Sequence, residues 1–247
     1  MFILALHGFK CCGADFTTLA KTISGNWHCP ELPGHGLESQ LDCSPKGTLD
    51  CINKALINHQ LSFTTQKILL GYSMGARAAL LHATHHPDVW DALILISGNP
   101  GIENEINRRD RRIADAELAD SIERLGVKTF LEFWQETPLI CSLKKIPTNQ
   151  RALMQTNRLK NTSAGLAKSL RQFGQGSAPN LWPEIGKLSM PALLITGEKD
   201  TKDTNIAKRM QKILPNASHV SILNTSHMPH LEQSDSVKKA IQNFLAK

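Results

Sequence analysis

Residues 67–86 read KILLGYSMGARAALLHATHH, with a serine held between two glycines at 71–75. A G-x-S-x-G string alone is common. Here an apolar strand pattern runs in and a helix-period pattern runs out, which is the context of a nucleophile elbow. Such a turn forces Ser73 into a strained backbone conformation, and a Cβ at Gly71 or Gly75 would clash across it. The hydroxyl is thereby presented at the end of a strand and the start of a helix. There the backbone N–H groups and the helix dipole favour developing negative charge.

Outward from this turn, short apolar runs alternate with helical stretches, the pattern of an α/β fold with a mostly parallel central sheet flanked by helices. The strand candidates are 2–6, 27–32, 67–72, 92–97, 192–196 and 219–223; the helical ones are 15–24, 49–61, 74–86, 204–214 and 234–246. The alternation breaks between Ser97 and Met190, where only helical segments appear, at 103–125, 128–134, 150–158 and 163–173. The expectation is one domain over 1–247 with a helical cap inserted at about 100–188, before the strand that precedes the acid described next.

A serine hydroxyl needs a base. In this strand-and-elbow arrangement the chain order is serine, acid, histidine. Asp200 follows the strand ALLIT and His227 lies in the loop NTSHMPH after the last strand, so Asp200 is expected to orient His227 and His227 to take the Ser73 proton. Asp203 and His230 are close competitors by position. The stretch LHGF at 6–9 ends the first strand and is expected to aim the Phe9 backbone N–H, with that of Met74, at an oxyanion; His7 and ELPGHG (31–36) read as structural. Arg77 lies one turn beyond Ser73 in an otherwise apolar helix, so it requires an anionic partner, either a substrate carboxylate or a structural aspartate.

A 41% hydrophobic, 20% charged composition is that of a folded globular protein, and no apolar run approaches the length of a membrane helix. The formal charge of +6 comes from scattered basic residues with a single tyrosine and no nucleic-acid motif. No nucleic-acid or membrane partner is therefore expected; the charge suits attraction of a small anion. The six cysteines, at 11, 12, 29, 43, 51 and 141, show no CxxC spacing, and the start MFILALHGF has no basic leader. They are expected as thiols of a cytoplasmic protein, with no metal site and no cofactor motif.

Together these pieces resemble the α/β-hydrolase superfamily. Within it, the chain is similar over nearly its full length to the 2-succinyl-6-hydroxy-2,4-cyclohexadiene-1-carboxylate synthase family of the menaquinone pathway. The resemblance is carried by LHGF, ELPGHG, GYSMGAR, SGNPGIENEINRRDRRIAD, FLEFW, NRLKNTSAGLAKSLRQFGQGSAPNLW, TGEKDTKDTNIAKRM and HMPHLE. The cap stretches are the specific part; ordinary esterases share the triad pattern.

The resemblance implies elimination of pyruvate from an enolpyruvyl cyclohexene bearing three carboxylates, without metal or organic cofactor. Ser73, activated by His227 and Asp200, would be the base, and Tyr72, Arg77, Arg111, Trp134 and Arg158 would bind the substrate. From the residues alone, Arg111 and Asp115 also fit a surface i,i+4 pair, Trp134 fits a core position, and helical phase does not choose among Arg108, Arg111 and Arg112. The family often has glycine where this chain has Ala76, and the added methyl is expected to tighten the elbow or the pocket wall. The competing expectations are a carboxylesterase or C–C bond hydrolase using the same triad, and a non-catalytic binding module. A monomer is the default.

Overall fold

The apolar runs form strands β1 (Phe2–Leu6), β2 (Asn26–His28), β3 (Lys67–Tyr72), β4 (Ala92–Ile96), β5 (Ala192–Gly197) and β6 (Ala217–Ile222). In the computed structural model, which describes residues 1–59, 62, 64–135, 137 and 146–246, all are paired in parallel, in the order β2-β1-β3-β4-β5-β6. The helices are α1 (Thr17–Thr22), α2 (Pro45–Asn58), α3 (Met74–His85), α4 (Glu105–Gln135), α5 (Thr148–Arg158), α6 (Ser163–Phe173), α7 (Trp182–Ile185), α8 (Thr201–Ile213), α9 (Pro229–Glu232) and α10 (Ser234–Leu245).

Period-2 alternation sends neighbouring strand residues to opposite layers. Phe2, Leu4, Leu6 and Leu69 pack with α2, α3, α7 and α8, while Ile3, Ala5, Ile68 and Leu70 pack with α1 and α10. A third cluster, including Ala119, Ile122, Phe130, Leu166 and Leu170, joins α4 to α6 above the sheet. β1 lies between β2 and β3, so the chain leaves it in one direction and returns to its other side. Ligands of open α/β sheets bind at such a switch, beyond the strands' carboxyl ends. Phe9 and Ser73 follow the two strands that flank it.

Several element boundaries differ from the expectations, and three have a clear local reason. β2 stops at His28 because Pro30 has no N–H for the ladder and the Leu32 N–H donates instead to His7 Nε2 (2.9 Å). α2 starts at Pro45, four residues earlier than expected, because Ser44 caps it and proline suits the first helical turn. α8 starts at Thr201 because Asp200 Oδ1 accepts the Asp203 N–H (3.1 Å).

The two helical segments expected at 103–125 and 128–134 join as α4, broken at Gly126, whose φ of 79° and ψ of 159° only glycine adopts readily. The neck of the insertion is stitched shut. The Leu181 N–H donates to the Pro100 carbonyl (2.7 Å) and Trp182 Nε1–H to that of Gly101 (3.1 Å). Arg209 of α8 stacks on the Trp182 ring (3.8 Å) and pairs with Glu103.

The Ala76 methyl does not reach the pocket. Ala76 is fully buried under the elbow, and a Cβ on Gly98 would lie 2.6 Å from its methyl, so Gly98 makes the room. Cys11, Cys12, Cys29, Cys43 and Cys51 are free thiols; Cys141 lies outside the described residues. Burial pushes Cys11 up to about 11 and Cys12 up to about 12, which removes thiolate chemistry at neutral pH from both. Among the described residues no helix is long and apolar enough to cross a membrane.

Candidate active site

Ser73 sits between β3 and α3 with φ 52° and ψ −109°, the strained geometry that the flanking glycines permit. A Cβ on Gly71 would run into the Gly75 carbonyl, and one on Gly75 into the Leu6 carbonyl. The Ser73 N–H is held by the Ile96 carbonyl (2.9 Å), which fixes the turn on the neighbouring strand.

The structure brings Ser73, His227 and Asp200 into one chain of hydrogen bonds. His227 Nε2 lies 3.0 Å from Ser73 Oγ, and Nδ1 lies 2.8 Å from Asp200 Oδ2. Asp203, a competitor by position, is present as well, its Oδ2 3.0 Å from the same Nδ1. Asp200 thus uses one oxygen to cap α8 and the other to hold the imidazole. Burial alone would lower the His227 pKa, but the hydrogen bonds to Asp200 and Asp203 outweigh it and raise it to about 9. Burial opposes ionisation of Asp200, yet its hydrogen bonds with His227 and the Asp203 N–H hold its pKa below the usual value.

His230, the other positional competitor, is set apart. Its two ring nitrogens have no partner among the described residues, and the ring lies between Tyr72 (4.5 Å) and Phe16 (5.5 Å). Burial drives its pKa down to about 3, so it stays neutral.

The relay opens into a cavity of about 270 Å³ lined by Phe9, Tyr72, Met74, Arg77, Arg111 and Trp134, among others. The Phe9 and Met74 amides make no hydrogen bond with described residues, which leaves two N–H donors at the cavity wall beside Ser73. Arg77 is 6% exposed and its guanidinium has no hydrogen bond or ion pair to any described residue. Burial, reinforced by nearby Arg111, lowers its pKa to about 10. Arg111 is positioned by Asp115 (2.7 Å) and Gln175 (2.9 Å), and Asp115, almost fully buried, also accepts the Gly176 N–H (3.0 Å). This pair is therefore built into the wall. Arg108 and Arg112 turn instead to the carbonyls of Ala178 and Gly176.

Arg158 stands elsewhere than expected. It is 3% exposed, behind the wall, 3.9 Å from Asp15 and 4.0 Å from the Cys11 sulfur, and it does not line the cavity.

Two contributors were missed from sequence. Glu232 accepts the N–H groups of Ser226 (3.0 Å) and Met228 (3.1 Å), gripping the backbone on both sides of His227. An acidic residue in the first turn after Pro229 was its available signal. The other is Lys10, on the wall beside Phe9. As for metals, Asp200, Asp203 and His227 offer donor atoms within 4.8 Å of one another, the one such group among the described residues. Their atoms are already committed to the relay to Ser73.

A parallel sheet with a serine elbow at a strand's carboxyl end, relayed through histidine to an acid after a later strand, defines the serine-centred α/β-hydrolase class. A model of the alpha/beta hydrolase family matches residues 3–240. A Bacillus subtilis protein provisionally named 2-succinyl-6-hydroxy-2,4-cyclohexadiene-1-carboxylate synthase is 33% identical, over 98% of this chain and 89% of its own. The synthase of that name from an Enterobacter species is 28% identical over 88% of this chain and 84% of its own. The solved structure of MenH from S. aureus superposes with a TM-score of 0.92 at 31% identity, covering 100% of this chain and 93% of that one. The chain belongs to the alpha/beta hydrolase family and, within it, to the family of these synthases.

Proposed function

We propose that this protein is a carbon–oxygen lyase of menaquinone biosynthesis. It eliminates pyruvate from 2-succinyl-5-enolpyruvyl-6-hydroxy-3-cyclohexene-1-carboxylate to give 2-succinyl-6-hydroxy-2,4-cyclohexadiene-1-carboxylate. Beside the family membership, the observation that carries the reading is Arg77. A cation desolvated in the wall of the Ser73 cavity, without a counter-charge in hydrogen-bonding reach among the described residues, calls for an anionic ligand. A neutral-ester hydrolase has no need of it.

Residues of about 100–188 act as a cap within one domain, supplying Arg111 and Trp134 to the substrate. Tyr72 borders the reacting face, its ring 5.5 Å from that of His227. Arg77 and Arg111 bind carboxylates. In the reaction, neutral His227 takes the Ser73 proton, and Ser73 Oγ removes a ring proton from the substrate. The electron pair of that C–H bond, at ring carbon 2, forms the 2,3 double bond, the existing 3,4 pair shifts to the 4,5 position, and the carbon 5–oxygen bond to the enolpyruvyl group breaks. Pyruvate leaves as its enolate, and the proton held by His227 converts it to the ketone and returns the histidine to its neutral form. Charge that builds on the substrate carbonyl is met by the Phe9 and Met74 N–H groups. No water is consumed and no metal or organic cofactor is assigned a role. The enzyme works in the cytoplasm, with a monomer as the default state.

The test is pyruvate release from the enolpyruvyl substrate, generated in situ and followed by NADH oxidation with lactate dehydrogenase. Rapid release above the spontaneous rate is expected; turnover of p-nitrophenyl esters with no acceleration of pyruvate release would return the protein to the carboxylesterases or C–C bond hydrolases.

The doubled carboxylate on His227 has its own signature. Only neutral imidazole accepts the Ser73 proton, so activity falls as pH drops through the raised His227 pKa of about 9. Asp203→Asn removes one of the two charges that raise it. The acidic limb of the kcat/KM profile is expected to move to lower pH in that variant; an unmoved limb would show that Asp203 leaves the base untouched.

A further inference from the structure

Lys10 is an unusual lysine. It is 3% exposed, yet it lines the Ser73 cavity, and no carboxylate lies within ion-pair reach of its Nζ among the described residues. Lysines are almost never buried without such a partner. Its backbone is pinned in a left-handed conformation, φ 58°, with the N–H donated to His35 Nε2 (3.0 Å) and the carbonyl accepting from Asn161 Nδ2 (3.1 Å). His35 is itself fixed through Nδ1 to the Pro33 carbonyl (3.1 Å). The main chain therefore holds the residue in place whatever its side chain does. Nζ lies 5.9 Å from the centre of the Trp134 ring, which steers it under the cap.

Behind Lys10 stand Cys11, Asp15 of the turn Gly13–Phe16, and Arg158 of α5. Asp15 lies 3.9 Å from Arg158, which occupies its charge. The same cavity is lined by Arg77, Arg111 and the exposed Lys202. Lys10 and Arg77 are thus two buried cations of one wall, neither with a carboxylate in ion-pair reach among the described residues.

Building on the lyase reading, we propose that Lys10 is a specificity-determining residue whose ammonium binds a substrate carboxylate at the cavity wall, which Arg158 does not line. Arg158 then acts through Lys10. Burial, with the Arg158 charge added, lowers the Lys10 pKa to about 8. The ammonium is present below that pH and is lost above it, so affinity for the anion declines as pH rises through about 8.

The test compares wild type, Lys10→Met and Lys10→Arg, with thermal unfolding as a check that each is folded. For pyruvate release at pH 7, Lys10→Met is expected to raise KM on the order of tenfold to a hundredfold, with kcat within about threefold. Lys10→Arg is expected to keep KM near wild type at pH 7 and to reduce its rise above pH 8. In parallel, propane-1,2,3-tricarboxylate binding is measured by calorimetry at pH 7 and 9.5. Affinity that is weakened in Lys10→Met, and that falls further between pH 7 and 9.5 in wild type than in Lys10→Arg, supports the assignment even if no pyruvate were released, an outcome that would sink the lyase reading alone. KM and tricarboxylate affinity both unchanged in Lys10→Met overturn it.

Discussion

Ser73→Ala lowers kcat for pyruvate release by at least about a thousandfold, the scale on which serine-triad enzymes lose activity when the nucleophile position is emptied. That factor corresponds to about 4 kcal/mol of lost transition-state stabilisation. The loss falls on kcat because Arg77, Arg111 and the cavity wall remain to bind substrate. Folding is spared, since Ser73 Oγ bonds to His227 Nε2 and supports no part of the core. Thermal unfolding of the variant within about 2 °C of wild type, with activity at the spontaneous rate, is the expected pair of results. Retained turnover would remove Ser73 from the chemistry and leave His227 to be the base by itself.

Gly75→Ala is expected to cause a large loss of stability from one added methyl. The new Cβ would be driven into the backbone carbonyls of Leu6 and His7, where β1 ends and the Phe9 loop begins. Neither carbonyl can move freely, because Leu6 belongs to a strand paired on both sides and His7 is fixed through Nε2 to the Leu32 N–H (2.9 Å). Overpacking against backbone in this way costs about 3 kcal/mol or more. For a chain of this size that lowers Tm by roughly 6–12 °C. Activity should fall as well, since α3, which begins at Met74, and the Phe9 loop are pushed apart beside Ser73. A Tm within 2 °C of wild type would mean that the elbow has slack the geometry does not suggest.

The strands were legible because a parallel sheet buried on both faces writes itself as short apolar runs. Two of the misplaced ends each turn on a single hydrogen bond. The Leu32 N–H goes to His7, and Asp200 caps α8, and neither partner is visible to a periodicity argument. The serine, acid and histidine could be placed because their order and strand-end positions are properties of the chain. The cap was harder. In α4 the apolar residues Ile106 and Ile113 face solvent, at 61% and 52% exposed, while Arg108 and Arg112 bond to carbonyls and Arg111 lines the cavity. Amphipathicity read in the usual sense points the wrong way there, because that interior surface is built for anions and backbone oxygens. Lys10 was invisible for a similar reason. A lysine before two cysteines reads as loop, and only the fold shows that His35 and Asn161 hold it inside. Arg158 carries the converse lesson, since a motif position says which residue is present but not what stands in front of it.

The stitched neck of the helical insertion bears on how such a scaffold can change over time. Its two ends meet at Pro100–Gly101 and Leu181–Trp182, and one arginine of α8 grips both sides. A segment whose ends are already joined adds little closure entropy to its host, almost regardless of length. The roughly eighty residues between can then be exchanged as a cassette, with the sheet and the serine relay left intact. New ligand-binding walls arrive on old machinery.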